Sequence, residues 1–355
     1  MLYLERILGN RGEIMRNIYD LTLEELGDYF VSIGLKPFRA TQIYEWLYRK
    51  HVRSFDEMTN IKKDLIQRLK EEFEIKTYEV VDHQKSVDGT EKFLFRLSDG
   101  NLIESVLMRH YYGTSICVTS QVGCNMSCAF CASGMKKKLR SLSSAEMVLQ
   151  LESVYELVKE KISHVVVMGI GEPFDNYDNV LKFLKIINNP HGLEIGARHI
   201  SISTCGLVPK IYDYAKENLQ SNLAISLHAP NNEIRDMIMP VNKAYPLELL
   251  VKAISDYIDL TNRRVTIEYI LLDGINDTIK CANELADLLH GLNVYINLIP
   301  YNEVKEKPFK RSTKENMNNF YDQLKKRSMN VTLRMEQGFD IDAACGQLRS
   351  KHMNK

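Results

Sequence analysis

The chain has 355 residues, 45% of them hydrophobic and 26% charged, the balance of a globular protein with room for one large domain and a small one. Its 46 basic and 46 acidic side chains cancel, which excludes a global pull toward nucleic acid and leaves any RNA contact to local basic patches. No run of about 18 apolar residues suggests a membrane span, and seven cysteines, an odd number, argue against a disulfide scaffold. Glu5 and Arg6 interrupt the apolar start and no small-residue cleavage site follows. No signal peptide is expected, and a cytoplasmic location is.

Residues 17 to 73 read as helical. Asp20-Leu-Thr-Leu-Glu-Glu opens one helix whose apolar side continues through Leu26, Tyr29 and Phe30, and Gly34 and Pro37 punctuate it. Ala40 to Tyr48 makes a second helix with the single tryptophan, Trp46, and Lys62 to Phe73 a third. Such a module either grips a nucleic-acid backbone or is a packing appendage. From Glu74 the period changes to that of strands. Ile75–Val81, Lys92–Leu97 and Leu102–Met108 are separated by Asp88-Gly89 and Asp99-Gly100, both strong hairpin signals. Glu104 lies in the last of these strands.

From about Ser115 strands and helices alternate. Ile116–Thr119 leads into a cysteine-rich loop, and Ser143-x-x-Glu146 is a capping box opening a helix with Met147, Leu151, Val154 and Val158 on one face. Strands follow at His164–Met168, His199–Ser203, Leu223–Leu227, Val265–Leu271, Val294–Ile299 and Val331–Met335. Helices begin after Asn176 and at Val208, Leu247, Asp277 and Thr313. Strands rich in Val, Ile and Leu between helices predict a parallel sheet. Six β/α units plus a late strand fall short of an eight-fold barrel. The expected architecture is α/β: a partial (β/α)6 barrel over 110–348, an N-terminal helical domain over 1–73, a β-meander linker over 74–109 and a tail over 349–355.

The loop Cys124-Asn-Met-Ser-Cys128-Ala-Phe-Cys131 places three cysteines within eight residues. Thiolates at this spacing suit an iron–sulfur cluster, and three ligands on a four-iron cluster leave one iron open. The C-x3-C-x2-C pattern with Phe130 before the last cysteine looks like the signature of radical S-adenosylmethionine (SAM) enzymes. The competing readings are a zinc site or buried thiols, but zinc motifs usually come as two separated pairs and no second pair is present. In a parallel barrel, chemistry gathers at the C-terminal strand ends. There lie Gly169-Ile-Gly171-Glu172-Pro173, Ser203-Thr-Cys-Gly206, Ser226-Leu227-His228-Ala-Pro230 and Asn302. Each reads as a ligand contact or as a strand-end cap. Glu172 is suited to accept hydrogen bonds from an ammonium group. No partner histidine stands at ligand spacing from His228. Cys117 and Cys345 read either as buried small hydrophobes or, for Cys345 among small residues, as a presented nucleophile.

Together these stretches resemble the RlmN/Cfr family of radical-SAM RNA methyltransferases. The resemblance is carried by Ser115-Ile-Cys117-Val-Thr-Ser-Gln-Val-Gly-Cys124, the cluster motif, Gly169–Pro173, Ser201–Gly206, Leu223–Pro230, Asn297-Leu-Ile-Pro-Tyr-Asn302 and Asp340-Ile-Asp-Ala-Ala-Cys345-Gly-Gln-Leu348. Gly-Glu-Pro and Ser-Leu-His-Ala-Pro look like the RlmN branch. Cys205 departs from relatives that carry Ser. The resemblance implies a [4Fe-4S] cluster on Cys124, Cys128 and Cys131. It implies SAM contacts from Gly171, Glu172, Ser203, Ser226, Leu227, His228 and Asn302. Cys345 is then the methyl carrier, Cys117 the thiol that resolves a protein–RNA adduct, and Glu104 the base for the carbon-2 proton of an adenine. The implied substrate is 23S rRNA, with tRNA as a second candidate, a flavodoxin-type electron donor and a monomeric enzyme. Carbon-8 methylation of the Cfr type and a non-catalytic zinc or iron–sulfur RNA-binding protein are the competing functions. Basic stretches at Lys136–Arg140, Lys305–Arg311 and Lys325–Arg327 are the candidate RNA contacts.

Overall fold

The computed structural model describes residues 15–335, 337–338, 340–341 and 346–353, so Cys345 lies outside the described residues. A short strand, β1 (Arg16–Asn17), begins the N-terminal module. Helices α1 (Leu23–Ser32), α2 (Phe38–Tyr48) and α3 (Lys63–Glu72) follow, and β2 (Phe73–Glu74) closes the module by pairing in parallel with β1. Helix α1 starts where the sequence suggests, because Thr22 and Glu25 form a reciprocal capping box. It buries Leu26, Tyr29 and Phe30.

The meander comprises β3 (Glu79–Lys85), β4 (Glu91–Arg96) and β5 (Leu102–His110), paired antiparallel. Gly89 and Gly100 sit in the two turns at φ +86° and +82°, the left-handed region glycine enters without strain. Strand β3 lies four residues beyond the expected Ile75–Val81. It is the outer edge of the sheet and none of its residues is buried, so it carries no apolar periodicity to read.

Next come β6 (Gly113–Cys117), the small ladder of β7 (Gln121–Val122) with β8 (Arg140–Ser141), α4 (Ser144–Val158), β9 (Ile162–Val167), α5 (Tyr177–Asn188) and β10 (Ile200–Thr204). Then follow α6 (Val208–Lys216), β11 (Asn222–Ser226), α7 (Asn232–Ile238), α8 (Leu247–Thr261), β12 (Val265–Leu271) and α9 (Ile279–Leu288). The described chain ends with β13 (Val294–Pro300), α10 (Lys314–Lys326), β14 (Val331–Leu333) and α11 (Gln347–Met353). Helix α11 runs across residue 349, where the sequence suggests the start of a tail.

One sheet of ten strands holds the molecule together, in the order β14-β13-β12-β11-β10-β9-β6-β5-β4-β3. Strands β6 and β9 to β14 are parallel, giving six units and a late strand: the partial barrel expected. The meander continues this sheet, because β5 pairs antiparallel with β6. Ile202, Ile225, Ile267, Ile296 and Leu298 are buried under the helices. Neighbouring positions of opposite parity, such as Ser201, Ser203 and Asn297, are only partly buried and polar. The strands are therefore less uniformly apolar than strands of a sheet with two dry faces. No helix among the described residues is long and apolar enough to cross a membrane.

The N-terminal module docks through Asp20, whose Oδ1 accepts hydrogen bonds from Ser144 Oγ and the Ala145 amide, both at 2.8 Å, in the first turn of α4. Asp20→Ala is expected to destabilise the protein by about 1–2 kcal/mol. Urea unfolding checks this, and an unchanged midpoint would show that the docking does not depend on Asp20.

Candidate active site

The ladder of β7 and β8 pinches the cysteine loop into a closed excursion at the end of the first parallel strand. Gly123 at the neck has φ +85°, and a Cβ there would lie 2.3 Å from the Lys137 carbonyl oxygen, so a larger residue would force the loop open. Inside the loop the Cys124 amide donates to the Lys136 carbonyl at 3.1 Å and the Cys131 amide to the Cys128 carbonyl at 3.2 Å. The Ala129 amide is tied to the Ile238 carbonyl at the end of α7, and Tyr301 Oη donates to the Phe130 carbonyl.

Cys124 is buried and Cys128 and Cys131 are partly exposed. Burial pushes the Cys124 thiol up to about 12, opposed by the Met126 amide and reinforced by Cys131 and Glu172. Burial, then Cys131 and Cys124, raises Cys128. Thiols gathered this closely suit a cationic group that takes them as thiolates. Among the described residues no three His, Cys, Asp or Glu side chains converge tightly enough for a single metal ion. A donor set of three thiols, with no fourth ligand from the loop, fits a four-iron cluster instead.

The glycine loop after β9 lies directly on this segment. A Cβ on Gly169 would come within 2.7 Å of the Val118 carbonyl oxygen, and one on Gly171, at φ +113°, within 2.7 Å of Gln121. Gly169 thus permits backbone-to-backbone packing against the approach to the cysteine loop, and Gly171 leaves room for the Gln121 and Ser120 side chains. Glu172 is buried, its Oε1 accepting from the Phe174 amide at 3.0 Å and its Oε2 from the Cys205 amide at 2.8 Å. Burial pushes its carboxyl upward, against the pull of the Cys205 amide.

At the next strand ends, the Ser203 and Ser226 hydroxyls are 3.2 Å apart. Leu227 has its side chain in the core, its amide on the Glu268 carbonyl and its carbonyl on Arg235 Nε. It offers a ligand no side-chain polar group. His228 has φ +57° and packs edge-on against Phe130, with centroids 5.1 Å apart. Its Nδ1 accepts from the Ile270 amide at 3.1 Å, which leaves the proton on Nε2. Burial pushes His228 down to about 3, with the Arg235 guanidinium adding to the effect.

Arg235 was not legible in the sequence. Its guanidinium is fully buried and donates to the Leu227 carbonyl, the Cys205 carbonyl at 2.8 Å and the Asn242 side chain at 2.9 Å. It binds the loops after β10 and β11 into one wall. Its partners are mostly backbone carbonyls, which no residue pattern announces.

The cysteine loop and the start of the glycine loop border a cavity of about 290 Å³ lined by Glu104, Cys117, Cys131, Met168, Asn302 and Arg334 among others. The structure thus brings Glu104, Cys117, Asn302 and a cluster cysteine onto one space, while Glu172, Ser203, Ser226, Leu227 and His228 stand outside that lining. Burial pushes the Cys117 thiol up to about 11, opposed first by Arg334. Glu104 is buried and pairs with Lys92 Nζ at 3.1 Å.

The chain matches the family described as "Ribosomal RNA large subunit methyltransferase N-terminal domain" over residues 16–75 and the "Radical SAM superfamily" over 118–288. It is 56% identical over 347 residues to a "Probable dual-specificity RNA methyltransferase RlmN" of Streptococcus thermophilus, covering 96% of this chain and 89% of the relative. The Listeria welshimeri relative of the same name is 55% identical over 96% of this chain and 95% of its own length. This chain belongs to the RlmN family of radical-SAM RNA methyltransferases. The crystal structure of a radical SAM methyltransferase from Sphaerobacter thermophilus superposes with a TM-score of 0.89 at 41% identity, covering 94% of this chain and 98% of that one. Membership in the RlmN family brings a [4Fe-4S] cluster and SAM as cofactors.

The depressed His228 makes a pH prediction for this RlmN-family protein. Its unfolded value is near 6.5 and its folded value about 3, so the unfolded chain binds the extra proton between them. Stability from this group is therefore complete above about pH 6.5 and falls by about 1.4 kcal/mol per unit as pH drops toward 3. His228→Gln should flatten that slope in urea unfolding between about pH 6 and about pH 5; an unchanged slope would contradict a neutral buried imidazole.

Proposed function

We propose that this chain methylates carbon 2 of a specific adenine in 23S rRNA, and of a tRNA adenine as a second substrate, through a methylated Cys345. Such a carbon has neither an acidic C–H nor a lone pair, so it does not attack the sulfonium methyl of SAM directly. Cys124, Cys128 and Cys131 would hold the [4Fe-4S] cluster, which would supply the electron for reductive cleavage of SAM. Gly171, Glu172, Ser203, Ser226, His228 and Asn302, with Leu227 through its backbone, form the proposed SAM site.

The protein's own residues do the rest. The Cys345 sulfur takes the methyl carbon and later carries it, joined to the adenine, as a covalent adduct. Glu104 accepts the carbon-2 proton. Cys117 attacks the Cys345 sulfur, breaking its bond to the transferred carbon, which keeps the electron pair and takes a proton as the methylated product leaves; the disulfide that remains must be reopened by an external reductant. A flavodoxin-type donor and a monomeric enzyme complete the reading. The observation that carries it is the single cavity lined by Glu104, Cys117 and Cys131. Contacts of the residues that follow Cys345 support it, for the amides of Gly346 and Arg349 both reach Glu104. The RlmN relatives support carbon 2 over carbon 8.

For the RNA, Lys138 and Arg140 are engaged with Asp175 and with Asp99 and Glu146, while Lys136 and Lys137 are exposed beside the cluster loop. The latter two are the better-placed phosphate contacts. The target base must leave its stack to enter the cavity. Cys117→Ala is expected to accumulate protein crosslinked to RNA that survives denaturing electrophoresis, with the adduct mapping to Cys345 by tandem mass spectrometry. Absence of any adduct in a cluster-loaded variant that still makes 5′-deoxyadenosine would contradict the role of Cys117.

A further inference from the structure

Lys92 is wholly buried on β4, an unusual place for an ammonium group, and its Nζ lies 3.1 Å from Glu104 Oε2. The same oxygen accepts the Arg349 amide at 3.1 Å, and Oε1 accepts the amide of Gly346. Both oxygens of Glu104 are therefore engaged by the segment that follows Cys345. Gly346 has φ +83°, and a Cβ there would come within 2.8 Å of Ser133 Oγ, two residues past Cys131. The residue after Cys345 is thus seated between Glu104 and the cluster loop. On the other side of Cys345, the Gly338 amide donates to Asp88 at 2.7 Å and Asp340 accepts from the Val87 amide at 3.1 Å. Acidic residues of the meander hold the C-terminal segment at both ends, and Glu104 is the buried one of them.

We propose that Lys92 is a positioning residue whose ammonium holds the Glu104 side chain where it docks the amides of Gly346 and Arg349, and that this docking sets how fast Cys345 takes its methyl group. The inference rests on the reading of Cys345 as methyl carrier. In that first step a carbon–sulfur bond forms to the Cys345 thiolate as the bond from the methyl to the SAM sulfur breaks. The thiol proton leaves to solvent, and S-adenosylhomocysteine is released. No adenine is involved and no carbon-2 base is needed. A Glu104 that acted only as that base would leave methyl loading untouched. A Glu104–Lys92 pair that docks the segment controls it.

The test uses the full-length, cluster-reconstituted protein with SAM carrying a deuterated methyl and no RNA. Intact-protein mass spectrometry follows the new methyl on Cys345. Lys92→Met and Glu104→Gln should each slow loading about tenfold or more, and Lys92→Arg should recover most of the rate. Iron and sulfide content should remain at the wild-type level in all three. The double variant Lys92→Met/Glu104→Leu, which leaves no unpaired buried charge, should load as slowly as the singles, separating docking from a folding defect. Loading at the wild-type rate in Lys92→Met and Glu104→Gln would overturn the inference. A wild-type protein that never loads Cys345 would overturn the proposed function itself, and the inference with it.

Discussion

A buried carboxylate must be met by partners, and in this molecule the partners of Glu104 come from distant parts of the chain. Its own strand and that of Lys92 belong to the meander, whereas Gly346 and Arg349 arrive from the C-terminus. The same glycine rests on Ser133 of the cluster loop. Breaking one partner of such a buried pair typically costs several kcal/mol, because the other charge is stranded. The desolvation cost of Glu104 thus locks the meander, the cluster loop and the C-terminal segment into one arrangement. An open partial barrel, which has two sheet edges and no closing strand, needs such a device if its mouth is to have a defined shape.

The remaining walls follow the same logic with neutral partners. The fully buried Arg235 satisfies carbonyls that the turns after β10 and β11 would otherwise leave bare, and so fixes Cys205, Ser226 and Leu227 relative to each other. Glu172 ties the glycine loop to β10 through the Cys205 amide, and Asn276 ties the ends of β11 and β12 through the His228 and Ile270 carbonyls. These buried polar groups act mainly on backbone. The strand ends can then present serine hydroxyls and small loops to a cofactor without themselves moving.

How much of this was legible in the sequence depended on whether the signal was local. The two Asp-Gly turns, the capping box at Ser143 and the alternating strands of the barrel are written in neighbouring residues, and the structure has them where expected. The cluster loop is also local, because its chemistry needs three thiols on a short excursion. Strand β3 is an exposed edge with no apolar face and was displaced by four residues. Arg235 and Lys92 escaped because their roles lie in contacts to backbone and to a residue on a neighbouring strand. Their types alone say only that a charge is present. Cys345 was picked out by its family stretch, and the contacts of Gly346 and Arg349 now give that stretch a physical anchor.

The central claim is that this scaffold delivers a methyl group to carbon 2 of an adenine. Nucleoside mass spectrometry tests it most directly, on protein-free 23S rRNA from a strain lacking the modification, incubated anaerobically with reconstituted protein, SAM and a reductant. The account predicts 2-methyladenosine. Recovery of 8-methyladenosine, or of unmodified adenosine alongside 5′-deoxyadenosine release, would contradict it.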